Sequence, residues 1–203
     1  MALSRTQVIN RALQLIAADT ISDPDEDSAS ARAAKIEYDA TVRAELSAYP
    51  WYFAKAQTGL PADLDAPLFK FAYSYTLPVD FLRLVELEER WVFDVVRPAV
   101  STYPLPPYEM QGRAILTDLT APLNIGYIRD VVDETTIWHP LFEECVVHSL
   151  AAALANPLSK SMTQVDAFTR TRRMKITEAR RVNAIQRAPE HIPDGSWMTA
   201  RIY

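Results

Sequence analysis

The chain has 203 residues, 49% of them hydrophobic, enough for one well-buried core and a subordinate lobe. Its 21 Lys and Arg against 26 Asp and Glu leave a net charge of −5, which excludes an indiscriminately basic nucleic-acid coat but not a locally basic face. The single cysteine, Cys145, forms no intrachain disulfide and supplies no four-thiolate zinc site, and no apolar run reaches the length of a membrane span, so synthesis in a reducing cytoplasm without a membrane partner is expected.

Fourteen prolines stand against 4 glycines, which gives stiff corners and few flexible loops. No two glycines lie close enough to cradle a phosphate, so a nucleotide cofactor is not expected. In chain order, the first helical periodicity runs from Ser4 to about Ala17 through Val8, Ile9, Ala12, Leu13, Leu15 and Ile16. Ser4-Arg5-Thr6-Gln7 has the form of a capping box and fixes the start. Asp19 to Asp27, crowded with carboxylates around Pro24, reads as a loop. A second helix is predicted from Asp27 or Ser28 to Ala48, stopped by Pro50. It has two apolar sides, Ala29, Ala33, Ile36 and Ala40 on one and Ala31, Tyr38, Val42 and Tyr49 on the other, as a helix between two neighbours would.

After Trp51-Tyr52-Phe53, prolines punctuate short aromatic and branched runs, the texture of strands and turns. Lys70 to Leu77 alternates around Phe71, Tyr73 and Tyr75, while Phe81 to Leu87 is apolar without a clear period. Tyr108 to Thr117 and Leu123 to Val132 are predicted to pair as two strands. Helical periodicity returns at Pro140, which suits a first helical position, with Leu141, Phe142, Cys145, Val146, Ser149, Leu150 and Leu154 facing inward until Asn156-Pro157. A last helix is predicted from Ser161, in a second capping box with Gln164, to about Arg187. Its apolar stripe, Met162, Val165, Phe168, Ile176, Ala179 and Val182, contains Arg172, which needs a partner. The expected fold is therefore mainly α: a helical bundle of about four helices (1–57 and 133–187) with a small antiparallel β-insertion (58–132) and an extended C-terminal arm (188–203).

Few constellations suggest chemistry. Asp23, Asp25 and Asp27 open like a calcium loop, but Ser28 and Ala34 stand where the turn glycine and the bidentate glutamate belong, so no metal is expected. Cys145 and His148 share a helix face without a visible third partner, and a structural cysteine beside a histidine accounts for them; no catalytic residues and no enzymatic activity are expected. The sharpest charge feature is the last helix. Between Lys160 and Arg187 it carries eight bases, including Arg170, Arg172, Arg173, Lys175, Arg180, Arg181 and Arg187, against Asp166 and Glu178, a net of +6 in a chain of −5. Such a helix contacts phosphate, pairs with acidic segments of this chain or of a neighbouring subunit, or presents a solvated face. The terminal arm carries Ile192, Trp197, Met198, Ile202 and Tyr203 on a segment too short for its own core, which marks it as a docking device for another subunit or protein.

The ordered residues also resemble a known family. Asn10-Arg11-Ala12-Leu13, Ile21, the alanine-rich second helix and Glu45-Leu46-Ser47-Ala48-Tyr49-Pro50-Trp51-Tyr52-Phe53-Ala54 are similar to the opening of the head-to-tail adaptors of tailed bacteriophages, the tail tubular protein A family. Tyr75-Thr76-Leu77-Pro78-Val79-Asp80-Phe81-Leu82-Arg83-Leu84, Tyr108 to Thr117, Ile125-Gly126-Tyr127-Ile128-Arg129 and Leu141-Phe142 follow in the same order. The family commonly has a glycine after its first helix, where this chain has Ala17-Ala18, and Trp91 to Pro107 does not align with it. The resemblance implies a structural connector at the virion's head–tail junction. It would be a homo-oligomeric ring, with twelve copies the expected number, bound to the portal protein above and a tail nozzle or other tail protein below, with double-stranded DNA passing through. The rival reading is a double-stranded DNA-binding or packaging-associated helical protein that uses the basic last helix.

Overall fold

The computed structural model describes residues 3–88, 90–91, 107–159 and 162–186. The first helix, α1 (Arg5–Leu15), starts as its sequence dictates: Ser4 Oγ accepts from the Gln7 amide and the Gln7 side chain accepts from the Ser4 amide. It ends in a Schellman turn, the Ala18 amide donating to the Leu13 carbonyl and the Ala17 amide to the Gln14 carbonyl. The residue forced to positive φ there is Ala17, at 55°, where a glycine would be unstrained. The loop that follows is held by Asn10, whose amide group donates to the Ile21 carbonyl and accepts from the Ile21 amide, both at 2.8 Å. Ser28 then caps α2 (Ala29–Ala48), and Tyr49 turns extended ahead of Pro50.

Among the described residues, seven strands follow in two antiparallel sheets. In the first, β1 (Lys55–Leu60), β7 (Leu123–Arg129), β3 (Phe81–Leu87) and the two-residue β4 (Arg90–Trp91) lie in that spatial order; in the second, the order is β2 (Tyr73–Thr76), β6 (Ala114–Thr117), β5 (Tyr108–Gln111). Residues of the first sheet divide between two cores. Val85 and Ile128 pack with the helices, whereas Leu84, Leu87, Ile125 and Tyr127 pack with Tyr75 and Ile115 of the second sheet. A register shift between Leu84 and Glu86 breaks the alternation of β3, which lets Leu84 and Leu87 share a face. The layers are thus helices, sheet and sheet. Gly126 of β7 is fixed by a close approach: a Cβ there would lie 2.9 Å from Glu86 Oε2, and Glu86 crosses this gap to pair with Lys55 at 2.6 Å.

The chain returns to helix through α3 (Pro140–Leu154), with Pro140 in its first turn and His139 Nδ1 accepting from the Leu141 amide at 3.2 Å. Helix α3 is buried on several sides because it packs on α1, α2 and α4 (Met162–Ile185) together. Phe142 near its start is ringed by Trp51, Phe53 and Trp138 at centroid distances of 5.0, 5.0 and 5.2 Å, and both indoles donate to carbonyls, those of Glu45 and Val131.

The architecture corrects the expected mainly α bundle with a small β-insertion. Two antiparallel sheets beside four helices make a mixed α/β fold, and strand extends back to Lys55. Strand β1 reads Lys-Ala-Gln-Thr-Gly-Leu, a composition with little strand preference; its pairing along the whole of β7 imposes the conformation. Tyr108 to Thr117 is not one strand paired with Leu123 to Val132 but a hairpin, β5 and β6, turning through Gly112 at φ 59° with Gln111 opposite Ala114. The strand ending at Arg129 pairs instead with β1 and β3. Past α3, Ala155–Ser159 form one turn of π-helix; the proposed cap Ser161 and the arm from 188 onward lie outside the described residues.

Replacing Ala17 by glycine should relieve the positive-φ strain and raise stability by about 0.5–1 kcal/mol. A higher urea midpoint with an unchanged m-value is the expected observation; a lower midpoint would mean that the alanine methyl supports the turn.

Candidate functional site

The feature that joins the three long helices is a carboxylate. Glu45 of α2 lies at helical spacing from Tyr38 and Val42 on the buried face, with its side chain 2% exposed. Ser149 of α3 donates to Glu45 Oε1 at 2.5 Å, and Arg172 Nε of α4 donates to the same oxygen and, at 2.8 Å, to Ser149 Oγ. The carboxylate holds the Arg172 guanidinium above its usual pKa. Arg172 therefore has the partner its place in an apolar stripe demanded, and it is a structural member of the helix junction.

The remaining bases of the last helix sit differently. Arg170, Arg173 and Arg181 are exposed and Lys175 is half-buried; none of the four meets a carboxylate among the described residues. Arg180 lies 5.2 Å from the Tyr49 ring centroid with its Nε buried and unpartnered among those residues. Nearby, Arg83 of β3 donates to the Ser47 carbonyl at the C-terminal end of α2; burial first, then the charge of Arg180, pulls its pKa down. Asn183 fastens the end of α4 to the chain leaving α2, accepting from the Tyr52 amide at 2.9 Å and donating to the Pro50 carbonyl at 3.1 Å. Sequence patterning gave Asn10 and Asn183 no role, since a helix-borne asparagine reveals nothing of the backbone it will meet. Arg187 and the docking residues Ile192, Trp197, Met198, Ile202 and Tyr203 lie outside the described residues.

The thiol–imidazole pair forms no nucleophilic site. Burial, reinforced by the negative charge of Glu45, pushes the Cys145 thiol up to about 12, so it carries no thiolate near neutrality. His148 is pulled below its usual value by burial, and its Nδ1 has no partner among the described residues. No group of three metal-binding side chains converges among the described residues. A hollow of about 400 Å³ beside β3 and β7 is lined by Asp80, Asp130, Asp133 and Glu134, of which three meet cations, Asp130 with Arg43 at 2.6 Å, Asp133 with Arg5 at 3.5 Å and Glu134 with the fork of Arg129, while Asp80 accepts from the Tyr127 hydroxyl at 3.1 Å. No family model matches the chain, and no curated protein sequence is similar to it. Large apolar side chains stand in the open at Ile36 of α2 (74% exposed), at Met174 and Ile185 of α4, and at Leu64, Leu68 and Phe69 in the loop between β1 and β2.

Two outcomes test this description. Arg172→Met should cost about 2 kcal/mol, because it strands a buried carboxylate, while Glu45→Leu combined with Arg172→Met should recover much of that loss. Additive losses in a double-mutant cycle would show that the pair is not coupled. For His148, the folded imidazole binds a proton less readily than the unfolded one, so the stability it preserves is full above about pH 6.5 and drains away as pH falls through that value. His148→Gln should accordingly flatten the drop in denaturation midpoint between about pH 7.5 and about pH 5.5. Identical slopes for the two proteins would mean that His148 does not govern it.

Proposed function

We propose that the protein is a structural head-to-tail connector of a tailed bacteriophage, a homo-oligomeric ring between the portal and the tail nozzle through which double-stranded DNA passes. The observation that carries the reading is the run of resembling segments in one order along nearly the whole chain, from Asn10-Arg11-Ala12-Leu13 to Leu141-Phe142. Two structural features support it. Several large apolar side chains find no cover within the described chain, as in a protein that completes its burial by assembly. Of the groups that sequence reading singled out, Cys145 is buried with its thiol held protonated and Arg172 is paired, as structural side chains are. On this reading the protein acts in the virion, without enzymatic activity or cofactor, and the arm residues Ile192, Trp197, Met198, Ile202 and Tyr203 attach each copy to the portal or to its neighbour.

A second reading has one specific observation in its favour. Arg170, Arg173, Lys175 and Arg181 on one helix would suit the phosphate backbone of a duplex, as in a packaging-associated DNA-binding protein. The net charge of −5 and the lack of a helix-turn-helix unit among the described residues weigh against it.

Electron microscopy and native mass spectrometry of the protein mixed with its cognate portal should show closed rings. Deleting residues 189–203 should leave the melting temperature of the free protein nearly unchanged and abolish attachment. A full-length chain that never joins portal at micromolar concentration would remove the connector reading, and a deletion that unfolds the protein would place the arm in its own core.

A further inference from the structure

Among cations whose side chains are described, those outside α4 reach a carboxylate or a main-chain carbonyl. On α4 only Arg172 does. Unmatched positive charge is thus concentrated on one element, and it is interleaved with apolar groups. Met174 and Ile185, 67% and 74% exposed, share the outer stripe with Arg170 and Arg181. A phosphate backbone would leave those apolar side chains in water, and Glu178 in the same stripe would repel it. An acidic protein surface with an apolar centre would satisfy both kinds of group.

The chain itself carries such a surface. Ile36, 74% exposed, stands beside the exposed Ala29 and Ala40 on the outer face of α2, and Arg32 and Arg43 on the same face are already paired with carboxylates. The loop before α2 is tied to this helix by the pairs Asp27–Arg32 and Asp25–Lys35, which brings to one edge the carboxylates of Asp23 and Glu26, neither of which meets a cation among the described residues, Glu26 accepting from the Ser22 and Asp23 amides; Glu37 lies on the other.

Geometry makes the two faces opposite ends of one contact. Nine residues of helix separate Ile36 from Glu45, a rotation of about 180°, and two separate Met174 from Arg172, about 200°. Because Glu45 and Arg172 meet between α2 and α4, the outer faces of the two helices point away from each other. One copy therefore presents a basic apolar stripe on one side and, on the other, an apolar stripe flanked by the carboxylates of Asp23, Asp25, Glu26, Asp27, Glu37 and Asp39 against the cations Arg32, Lys35 and Arg43. Two different patches that match each other make a heterologous contact, which propagates and closes into a ring where the rotation allows.

We propose that the outer face of α4 docks on the outer face of α2 in a second copy of this chain, Met174 against Ile36, with Arg170, Arg173 and Arg181 facing the acidic edges. This names the subunit contact of the ring proposed above, and it rests on that reading. Cys145 is buried, so thiols introduced at exposed positions react alone. Ile36→Cys combined with Met174→Cys, treated with a short bismaleimide, should give a ladder of covalent oligomers, whereas each single variant should not. Reversing charge in Arg170→Glu and Arg173→Glu together should weaken self-association about tenfold or more, and Asp23→Lys with Glu26→Lys in the same chain should restore it. Wild-type rings without the ladder would overturn this contact and leave the connector reading standing. A wild-type chain that neither self-associates nor joins portal would overturn the connector reading as well. Charge reversal that abolishes binding to a duplex DNA oligonucleotide and leaves sedimentation unchanged would assign α4 to nucleic acid instead.

Discussion

A carboxylate buried to 2% exposure has to be matched where it lies, and the disposition of the helices follows from how Glu45 is matched. Its Oε1 is shared by a hydroxyl from α3 and a guanidinium from α4, while its main-chain carbonyl receives the Trp51 indole at 2.8 Å. One residue thereby fixes three helices and the aromatic nest around Phe142 that joins them to the first sheet. The match is incomplete, since Glu45 Oε2 has no hydrogen-bond partner among the described residues. An apolar trio in its place would be as cohesive but would lack the directional bonds that tie Arg172 of α4 to Ser149 of α3 and Glu45 of α2, and such bonds are satisfied at one register of the helices.

The first sheet plays the complementary part. With helices on one face and the second sheet on the other, it tolerates polar groups only where they are paired, and the crossing of Glu86 over Gly126 to Lys55 is such a place. Glycine is needed at 126 for steric rather than conformational reasons: the space a methyl would fill is already taken by a carboxylate. Strands β1 and β3, both bonded to β7, are locked across it by that ion pair.

Helix boundaries were legible in the sequence because capping is local. Ser4, Ser28, Pro50 and Pro140 act on residues within one turn, and each marks an end where it was read. The sheets were less legible because pairing is not local. Nothing in Lys55–Leu60 announces a strand, and the turn at Gly112 was hidden inside a run that alternates on both sides of it. The candidate site shows the same division. Arg172 in an apolar stripe announced that a partner must exist, yet choosing among 26 acidic residues needed the packing of α2 on α3, even though Glu45 stood at helical spacing from Tyr38 and Val42. Cys145 and His148 were readable as a shared face; what burial does to their protonation was not.

The charge distribution ties the interior to the surface. A chain of net −5 that spends its other described cations on internal pairs leaves a basic surplus only on the helix whose inner side is anchored by Arg172 and whose end is fastened by Asn183. An exposed helix held at two points loses little freedom on docking, so a larger part of any contact on its outer face is retained as affinity. Freed from Glu45, the same helix would carry the same charges at a higher entropic cost. The Glu45–Arg172 pair thus acts beyond the helix junction: it holds a stripe of arginines and methionine as a preorganised surface, the one that the proposed subunit contact uses.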